Sequence, residues 1–355
     1  MKLATLRKKV DAIDERILGL LSRRARITKA IGSAKARRNA SVYVPDRETS
    51  VYGHILRRNA GPLSDDALRA IYREIMSASL SIEKDVKIAY FGPEATFTHL
   101  AAMKKFGSSV GYTPCDTISD VFAEVEHGRA DYGVVPIENT TEGAVNHTLD
   151  MFIDSDLKIC SEIFLEISHN LLSKERSLER IRTVYSNPHV FGQCRLWLET
   201  HLPKALLKEV SSTSRAAEIT AGQRRSACIA SVYAGRRHGL RLLAGGIEDF
   251  AHNVTRFLVV GKTESRPTSK DKTSIMCSVK DKVGALHDIL IPFKRHGINL
   301  TKFESRPSKV RAWEYYFFVD LEGHTAQRKI AQALRELRSE SVYLKILGSY
   351  PVSRL

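Results

Sequence analysis

Thr255, Arg256 and Phe257 stand just before the apolar run Leu258-Val259-Val260 and close a series of five clusters rich in hydroxyl and amide groups, spread between residues 92 and 257. The other four are Gly92-Pro93-Glu94-Ala95-Thr96-Phe97-Thr98, Pro136-Ile137-Glu138-Asn139-Thr140, Ser186-Asn187-Pro188-His189 with Gln193-Cys194, and Ser212-Thr213-Ser214-Arg215-Ala216-Ala217. Such groups donate hydrogen bonds to carboxylates without adding a titratable side chain, so together they suit a small anion. Most follow a short apolar segment, such as Ile88-Ala89-Tyr90-Phe91 or Tyr132-Gly133-Val134-Val135, and precede a helical pattern. That is the strand-to-helix junction where open α/β sheets collect ligands and where the helix dipole favours negative charge. One such cluster would be an ordinary helix cap. Five in one segment ask for more than capping.

At these residues, and at Ala227-Cys228-Ile229-Ala230-Ser231 and Gly245-Gly246-Ile247-Glu248-Asp249, the segment 86–262 resembles the prephenate dehydratase family. The resemblance implies two α/β subdomains, like a type 2 periplasmic binding protein, closing over prephenate and converting it to phenylpyruvate, carbon dioxide and water. It makes Thr255 the catalytic candidate and gives Thr96, Thr98, Asn139, Thr140, Ser186, Gln193, Ser212, Thr213, Arg256 and Phe257 as prephenate-binding residues. The chemistry sets its own terms. Losing a carboxylate and a hydroxyl makes the ring aromatic, which supplies the driving force, so the enzyme must hold a dianion and help the hydroxyl depart. Threonine is too weak an acid for ordinary proton donation at neutral pH, and positioning with electrostatic preorganisation becomes the larger contribution. Three positions depart from the family pattern: Ala95 for a usual Gly, Thr98 for Ser and Asn187 for His. Ala95 matters most if its backbone needs a positive φ, which Gly reaches cheaply.

The elements before residue 85 read as helix. Leu6, Val10, Ile13, Ile17, Leu20, Ile27 and Ile31 recur at alternating steps of four and three, but Arg24 occupies one step of the stripe and Lys35 continues it. In a later helix Leu68, Tyr72 and Ile75 lead along one face to Ser79 and Glu83. A lone arginine in such a stripe would snorkel to water. Charge in the apolar face of two helices points instead to a polar site between them, because buried charges persist only when paired or bound to a ligand. Pro45-Asp46-Arg47-Glu48 starts a middle helix and adds a further Arg and Glu.

With these residues the segment 1–84 resembles the all-helical chorismate mutase family, whose domains are intertwined dimers. By resemblance Arg7 (from the partner chain), Arg24 and Arg47 bind the two carboxylates of chorismate, Lys35 and Glu83 hydrogen-bond the ether oxygen as its bond breaks, Glu48 holds the ring hydroxyl, and Ser79 joins the site. The rearrangement is pericyclic and needs no nucleophile, base, metal or cofactor. Val44 departs from the pattern, standing where relatives often carry Asp.

Beyond a polar stretch, Gly261 to Lys272, that reads as an interdomain linker, the order is strand (274–279), helix (285–296), two strands (300–304 and 313–321), helix (326–338) and strand (343–347). That βαββαβ order is a ferredoxin-like plait. Gly284-Ala285-Leu286 at a helix start and Glu304-Ser305-Arg306-Pro307 after a strand are similar to the ACT regulatory domain that senses phenylalanine, here spanning 272–355. The resemblance makes Gly284, Ala285, Leu286, Glu304, Ser305 and Arg306 phenylalanine-binding candidates, with the effector an inhibitor of the dehydratase. The expected fold is thus multidomain: all-α, then α/β, then α+β.

At 355 residues and 43% hydrophobic content the chain suits two or three packed domains. No stretch reaches transmembrane length, the first ten residues lack the apolar core of a signal peptide, and five scattered cysteines without metal spacing fit a reducing cytoplasm. A net charge of +15 and a pI near 9.6 raise a nucleic-acid reading through Arg23-Arg24, Arg37-Arg38 and Arg57-Arg58, but no nucleic-acid-binding signature accompanies them. A field that draws in dianionic substrates accounts for several of these arginines. The expected partners are therefore chorismate, prephenate, phenylalanine and a second copy of the chain, with neither nucleic acid nor membrane. The competing reading is a non-catalytic sensor that uses the same cleft and ACT domain.

Overall fold

The computed structural model describes residues 3–38, 43–250, 252–279, 282–307 and 315–353. The chain divides into two compact units, Met1–Lys87 with Phe106–Gly111, and Ile88–Lys105 with Tyr112–Leu355.

In the first unit the expected helices form. Helix α1 is unbroken over Leu3–Arg37, 35 residues or about 52 Å at 1.5 Å per residue. Helix α2 (Pro45–Arg57) has Pro in its first turn, where a missing N–H costs nothing, but its N-cap Val44 provides no side-chain acceptor. The Asp-to-Val departure therefore leaves that helix start uncapped by a side chain. Helix α3 (Asp65–Glu83) is capped by Ser64, whose side chain accepts from the Ala67 N–H at 3.2 Å. Helix α1 meets α3 through small residues: Thr28 and Gly32 are its buried positions. A Cβ on Gly32 would lie 2.9 Å from the Glu83 Cα, so glycine is what lets the helices approach there. The apolar stripe itself is uncovered, with Leu6, Val10, Ile13, Ile17 and Leu20 between 41% and 66% exposed.

The second unit begins with β1 (Lys87–Phe91), α4 (Phe97–Phe106), β2 (Gly111–Cys115), α5 (Ile118–Glu126), β3 (Tyr132–Asn139), β4 (Gly143–Ala144), α6 (Asn146–Asp154) and β5 (Lys158–Glu166). The chain then crosses to a second sheet: β6 (Asn170–Ser173), β7 (Thr183–Ser186), α7 (Pro188–Gln193), α8 (Arg195–His201), β8 (Leu206–Glu209), α9 (Thr213–Gly222), β9 (Ser226–Ala230), α10 (Val232–Arg237) and β10 (Arg241–Ala244). It returns as β11 (Val254–Gly261) to the centre of the first sheet, whose order is β2-β1-β3-β11-β5 with β4 on β3. The second sheet runs β10-β6-β9-β7-β8. Two sheets joined by two crossover segments, 167–169 and 245–253, make the two-subdomain α/β arrangement that the resemblance implied. The Ile167 N–H donates to the Asn253 carbonyl at 2.7 Å and ties the crossovers together. The near-continuous burial of β1 and β9 fits parallel pairing covered on both faces.

The last part contains β12 (Asp271–Val279), α11 (Ala285–Arg295), β13 (Leu300–Pro307), β14 (Tyr315–Glu322), α12 (Arg328–Glu340) and β15 (Ser341–Pro351), in an antiparallel sheet ordered β13-β14-β12-β15. The plait is as expected. Strands β13 and β15 run further than the sequence suggested because ladder pairing with β14 and β12 carries them past their apolar residues. The expected start of the third strand at Trp313 lies outside the described residues. One face of the sheet takes α11 and α12 through Ile275, Val319, Leu321, Ile289 and Ile330. The other packs into the dehydratase-like core, where Met276, Phe318, Leu347 and Tyr350 join Leu149, Phe152, Ile159 and Leu258.

The stretch expected as a linker is mostly exposed over 262–270 but is anchored at Ser265. Ser265 is buried, its hydroxyl donates to the Cys160 carbonyl at 3.0 Å, and its own carbonyl lies 3.0 Å from His324 Nε2. Asp271 and Lys272 already belong to β12.

Candidate active sites

Thr255 is half-buried near the start of β11 and pairs in register with Asn139 at the end of β3. Asn139 is held by its carbonyl oxygen, which accepts from the Thr141 N–H at 2.9 Å, the Thr141 hydroxyl at 2.5 Å and the Glu142 N–H at 3.1 Å. Those donors fix the amide orientation. Its Nδ2 therefore donates to Thr255 Oγ1 at 2.9 Å and to Asn253 Oδ1 at 2.7 Å. The chain of donors continues across the crossovers: Asn253 Nδ2 donates to Gln193 Oε1 at 2.9 Å, and Gln193 Nε2 donates to Glu142 Oε1 at 2.6 Å. His169 Nε2 lies 2.6 Å from the same Gln193 oxygen and so carries the proton, leaving a buried Nδ1 with no hydrogen-bond partner among the described residues. Burial holds the His169 pKa below the ordinary imidazole value.

The structure thus brings Thr255, Asn139 and Gln193 into one directed network and adds Asn253, His169 and Glu142, which sequence reasoning did not select. Asn253 and His169 lie in the crossover segments, outside the hydroxyl-rich clusters of the strand-to-helix junctions. The other candidates are spread more widely. Thr140 Oγ1 donates to the His252 carbonyl at 3.1 Å and accepts from the Val254 N–H at 3.0 Å, bracing the loop beside Asn139. Thr96 donates to the Pro93 carbonyl at 2.9 Å, and Ser212 caps α9 by accepting from the Arg215 N–H at 3.1 Å. Thr98, Thr213 and Phe257 are buried, and the fully buried Ser186 donates to the Ile229 carbonyl at 2.9 Å. Ala95 does adopt the left-handed conformation at φ 66°, which its methyl group makes costly. The cost is met by a fixed environment, since its N–H donates to His99 Nδ1 at 3.1 Å.

Side chains alternate across a strand, so Arg256 faces away from Thr255 and the network. Its side chain is 4% exposed and its Nη1 lies 3.0 Å from Glu138 and 2.6 Å from Asp320, while Nη2 donates to the Tyr350 hydroxyl at 2.9 Å. Nε lies 2.8 Å from Glu162 without the alignment of a hydrogen bond, so that contact is an ion pair only. Lys272 adds a second cation to Glu162 at 2.9 Å and Lys302 a second to Glu138. Burial pushes the Glu138 carboxyl up, but Lys302 and Arg256 outweigh it and hold it below its usual range. The guanidinium is thus engaged by three carboxylates of its own chain. A cavity of about 730 Å3 beside these groups is lined by Arg256, Glu138 and Lys302 and also by Asn139, Thr140 and His252, so it reaches the edge of the network although Thr255 itself does not line it.

In the helical unit, Lys35 Nζ lies 2.8 Å from Glu83 and Arg24 Nη1 contacts the Ser79 hydroxyl, which itself donates to the Ile75 carbonyl at 2.7 Å. Four of the seven chorismate candidates therefore meet along the α1–α3 contact. Glu48 accepts from the Tyr43 hydroxyl at 2.9 Å, while Arg47 and Arg7 are exposed.

In the ACT-like sheet, Gly284 precedes α11 at φ 83°, a conformation that suits glycine, with Ala285 buried and Leu286 46% exposed. Strand alternation divides the second element. Glu304 and Arg306 face the dehydratase-like core and Ser305 the opposite side, and Arg306 Nη2 lies 3.1 and 3.2 Å from the two carboxylate oxygens of Asp150 in α6.

Family models match three consecutive stretches: Chorismate mutase type II over 6–84, Prephenate dehydratase over 88–265 and ACT domain over 273–339. The bifunctional chorismate mutase/prephenate dehydratase of Aquifex aeolicus is 52% identical over 358 residues, covering 100% of this chain and 99% of that protein. The chain belongs to the bifunctional chorismate mutase/prephenate dehydratase family. The protein of that name from Stutzerimonas stutzeri is 45% identical, over 99% of this chain and 98% of its own. A solved prephenate dehydratase from Arthrobacter aurescens, in complex with L-Phe, superposes with a TM-score of 0.70 at 33% identity, over 75% of this chain and 90% of that one.

The dehydratase fold should be acid-sensitive for a stated reason. Burial lowers the pKa of both His99 and His169, so the unfolded chain takes up protons first as pH falls. Stability contributed by these neutral rings is present above about pH 6.5 and is lost below it. Thermal unfolding of the dehydratase transition should move to lower temperature between about pH 7 and 5.5, and His169→Asn should flatten part of that slope. An unfolding temperature that stays constant over this range contradicts the assignment.

Proposed function

We infer that the chain is a bifunctional enzyme of phenylalanine formation, rearranging chorismate to prephenate in its helical domain and converting prephenate to phenylpyruvate in its α/β domain, with phenylalanine as inhibitor at the ACT domain. One observation carries the dehydratase half. Thr255 Oγ1 accepts from Asn139, and its own proton has no acceptor among the described residues, so it is available to the departing hydroxyl oxygen. The substrate's ring carboxylate leaves as carbon dioxide, its bonding pair enters the ring, and the C–O bond breaks. The oxygen takes up a proton and leaves as water. A donor pre-aimed at that oxygen acts where negative charge develops and needs no reorganisation. Asn139, Gln193, Asn253 and His169 are neutral groups that hold it in place. The clusters at Thr96, Thr98, Thr140, Ser186, Ser212 and Thr213 support the cleft walls and helix starts against which a dianion would lie.

The mutase half needs only charge and shape. Arg24 and Lys35, one on each side of Gly32 and Thr28's turn of α1, face Ser79 and Glu83, and this supports binding of a carboxylate by Arg24 and stabilisation of the ether oxygen by Lys35 and Glu83. Arg7 lies 17 residues before Arg24 on a straight helix, about 26 Å away, too far to serve the same site. It can contribute only from a second copy. The uncovered stripe of Leu6, Val10, Ile13 and Ile17 gives that copy a surface, and supports a homodimer built on α1. Arg47 and Glu48, at the start of α2, would complete the pocket. Gly284, Ala285 and Leu286 support effector binding through an accessible helix start. Among the described residues no helix is long and apolar enough to cross a membrane. Five buried free cysteines fit a cytoplasmic enzyme.

Incubating the protein with chorismate and following phenylpyruvate tests both activities together. Phenylpyruvate should accumulate, whereas a sensor would bind without turnover. Arg24→Ala should lower mutase kcat/KM by about tenfold to a hundredfold while sparing dehydration of added prephenate. Thr255→Ala should lower dehydratase turnover by about a hundredfold to a thousandfold with KM for prephenate little changed. Wild-type turnover in Thr255→Ala would remove that residue from the mechanism.

A further inference from the structure

Strands β3 and β11 carry two adjacent cross-strand pairs, Asn139 with Thr255, joined by the Nδ2 to Oγ1 hydrogen bond, and Glu138 with Arg256, whose side chains meet Lys302 and Asp320 of the ACT sheet. Whatever holds the second pair also sets the backbone of the first, because a strand cannot shift one residue without its neighbour. Glu138 is gripped from both sides, by Arg256 Nη1 at 3.0 Å and by Lys302. Lys302 lies on β13, the edge strand of the ACT sheet, and is 12% exposed. Four residues further along the same strand face, Arg306 holds Asp150 of α6. Edge strand β13 therefore grips the segment 138–150 at both ends, and that segment contains Asn139 and the Thr141 and Glu142 donors that orient it. At the far end of α6, Lys345 of β15 donates to the carbonyls of Phe152, Ile153 and Ser155 at 2.8–3.3 Å.

We propose that Lys302 is a positioning residue of the dehydratase, holding Glu138 so that Asn139 and Thr255 stay aligned, and that it is the contact through which the ACT domain governs the reaction. Lys302 touches no substrate atom in this scheme; it acts through Glu138. A displacement of β13 on effector binding would be passed to the Asn139–Thr255 pair without moving the cleft walls. The inference rests on Thr255 being the catalytic donor.

Four variants test it: Lys302→Met, Lys302→Arg, Thr255→Ala and the double variant Lys302→Met/Thr255→Ala, assayed on prephenate with and without phenylalanine, alongside the mutase rate and thermal unfolding. Because misplacement of a positioned group by about an ångström costs up to about a hundredfold, Lys302→Met should lower dehydratase kcat by about tenfold with KM within about twofold. The mutase rate should stay unchanged, phenylalanine inhibition should weaken, and Lys302→Arg should restore kcat to within about twofold of wild type, an outcome a merely structural role would not give. If Lys302 acts through Thr255, the double variant should be no slower than Thr255→Ala alone. Wild-type kcat and phenylalanine response in Lys302→Met, or losses that multiply in the double variant, would overturn the proposal. Should Lys302→Met fail to fold, Glu138→Gln, which removes the carboxylate that Lys302 grips while keeping the side chain's shape, carries the same comparison. Wild-type turnover in Thr255→Ala would instead sink the dehydratase reading beneath it, so the two failures are distinguishable.

Discussion

A guanidinium buried to 4% exposure between two sheets is the interaction on which the second unit depends. Removing charged groups from water costs several kcal/mol per ion, and the cluster persists because it is balanced. Arg256, Lys272 and Lys302 supply three cations, and Glu138, Glu162 and Asp320 supply three carboxylates, with the Tyr350 hydroxyl filling a remaining donor. Taking away Arg256, which pairs with all three carboxylates, would leave Asp320 as a buried carboxylate without its cation, a change of about 3–5 kcal/mol. The groups come from β3, β5 and β11 on one side and from β12, β13, β14 and β15 on the other. The ACT sheet is thus fastened to the first dehydratase sheet beside Thr255, and Met276, Phe318 and Leu347 seal the contact with apolar surface.

The two proposed sites handle similar dianions by different means. Along α1 and α3 the groups are charged, with Arg24 and Lys35 set against Ser79 and Glu83, as suits a rearrangement that needs stabilised charge on an ether oxygen. Around Thr255 the working groups are neutral amides, a hydroxyl and a neutral imidazole. Neutral donors can hold one directed arrangement without titrating, and the two carboxylates that touch the network are engaged, Glu142 by Gln193 at 2.6 Å and Glu248 by the His169 N–H at 2.9 Å. The cations of that region are on the other face of β11, where they fasten sheets together.

Much of this was legible in the residues. The four-three stripe of α1 marked the helix, and Arg24 with Lys35 interrupting it marked the polar site, because charge in an apolar seam demands a partner. The same stripe announced an uncovered face. Ala95 was suspect only if its φ were positive, and it is 66°. That Arg256 stands apart from Thr255 was legible too, since adjacent strand residues face opposite ways. Arg306 followed the same rule on β13. Asn253 and His169 carried no local signal, since their position depends on two crossover segments meeting, a non-local fact that no spacing records. The polar stretch before β12 looked like a linker because composition does not distinguish hydrogen bonds to water from hydrogen bonds to Cys160 and His324.

Fastening by Arg256 implies that an effector on the regulatory sheet is felt at β3 and β11. Backbone amide hydrogen exchange of the full chain, with and without saturating phenylalanine, reads this directly. Protection should change together in β13, in the segment 138–150 and at the start of β11, while the second dehydratase sheet, β6 to β10, stays as it was. A change confined to residues around Gly284, with residues 138–150 and 254–257 exchanging at unaltered rates, would contradict coupling through the buried ion cluster.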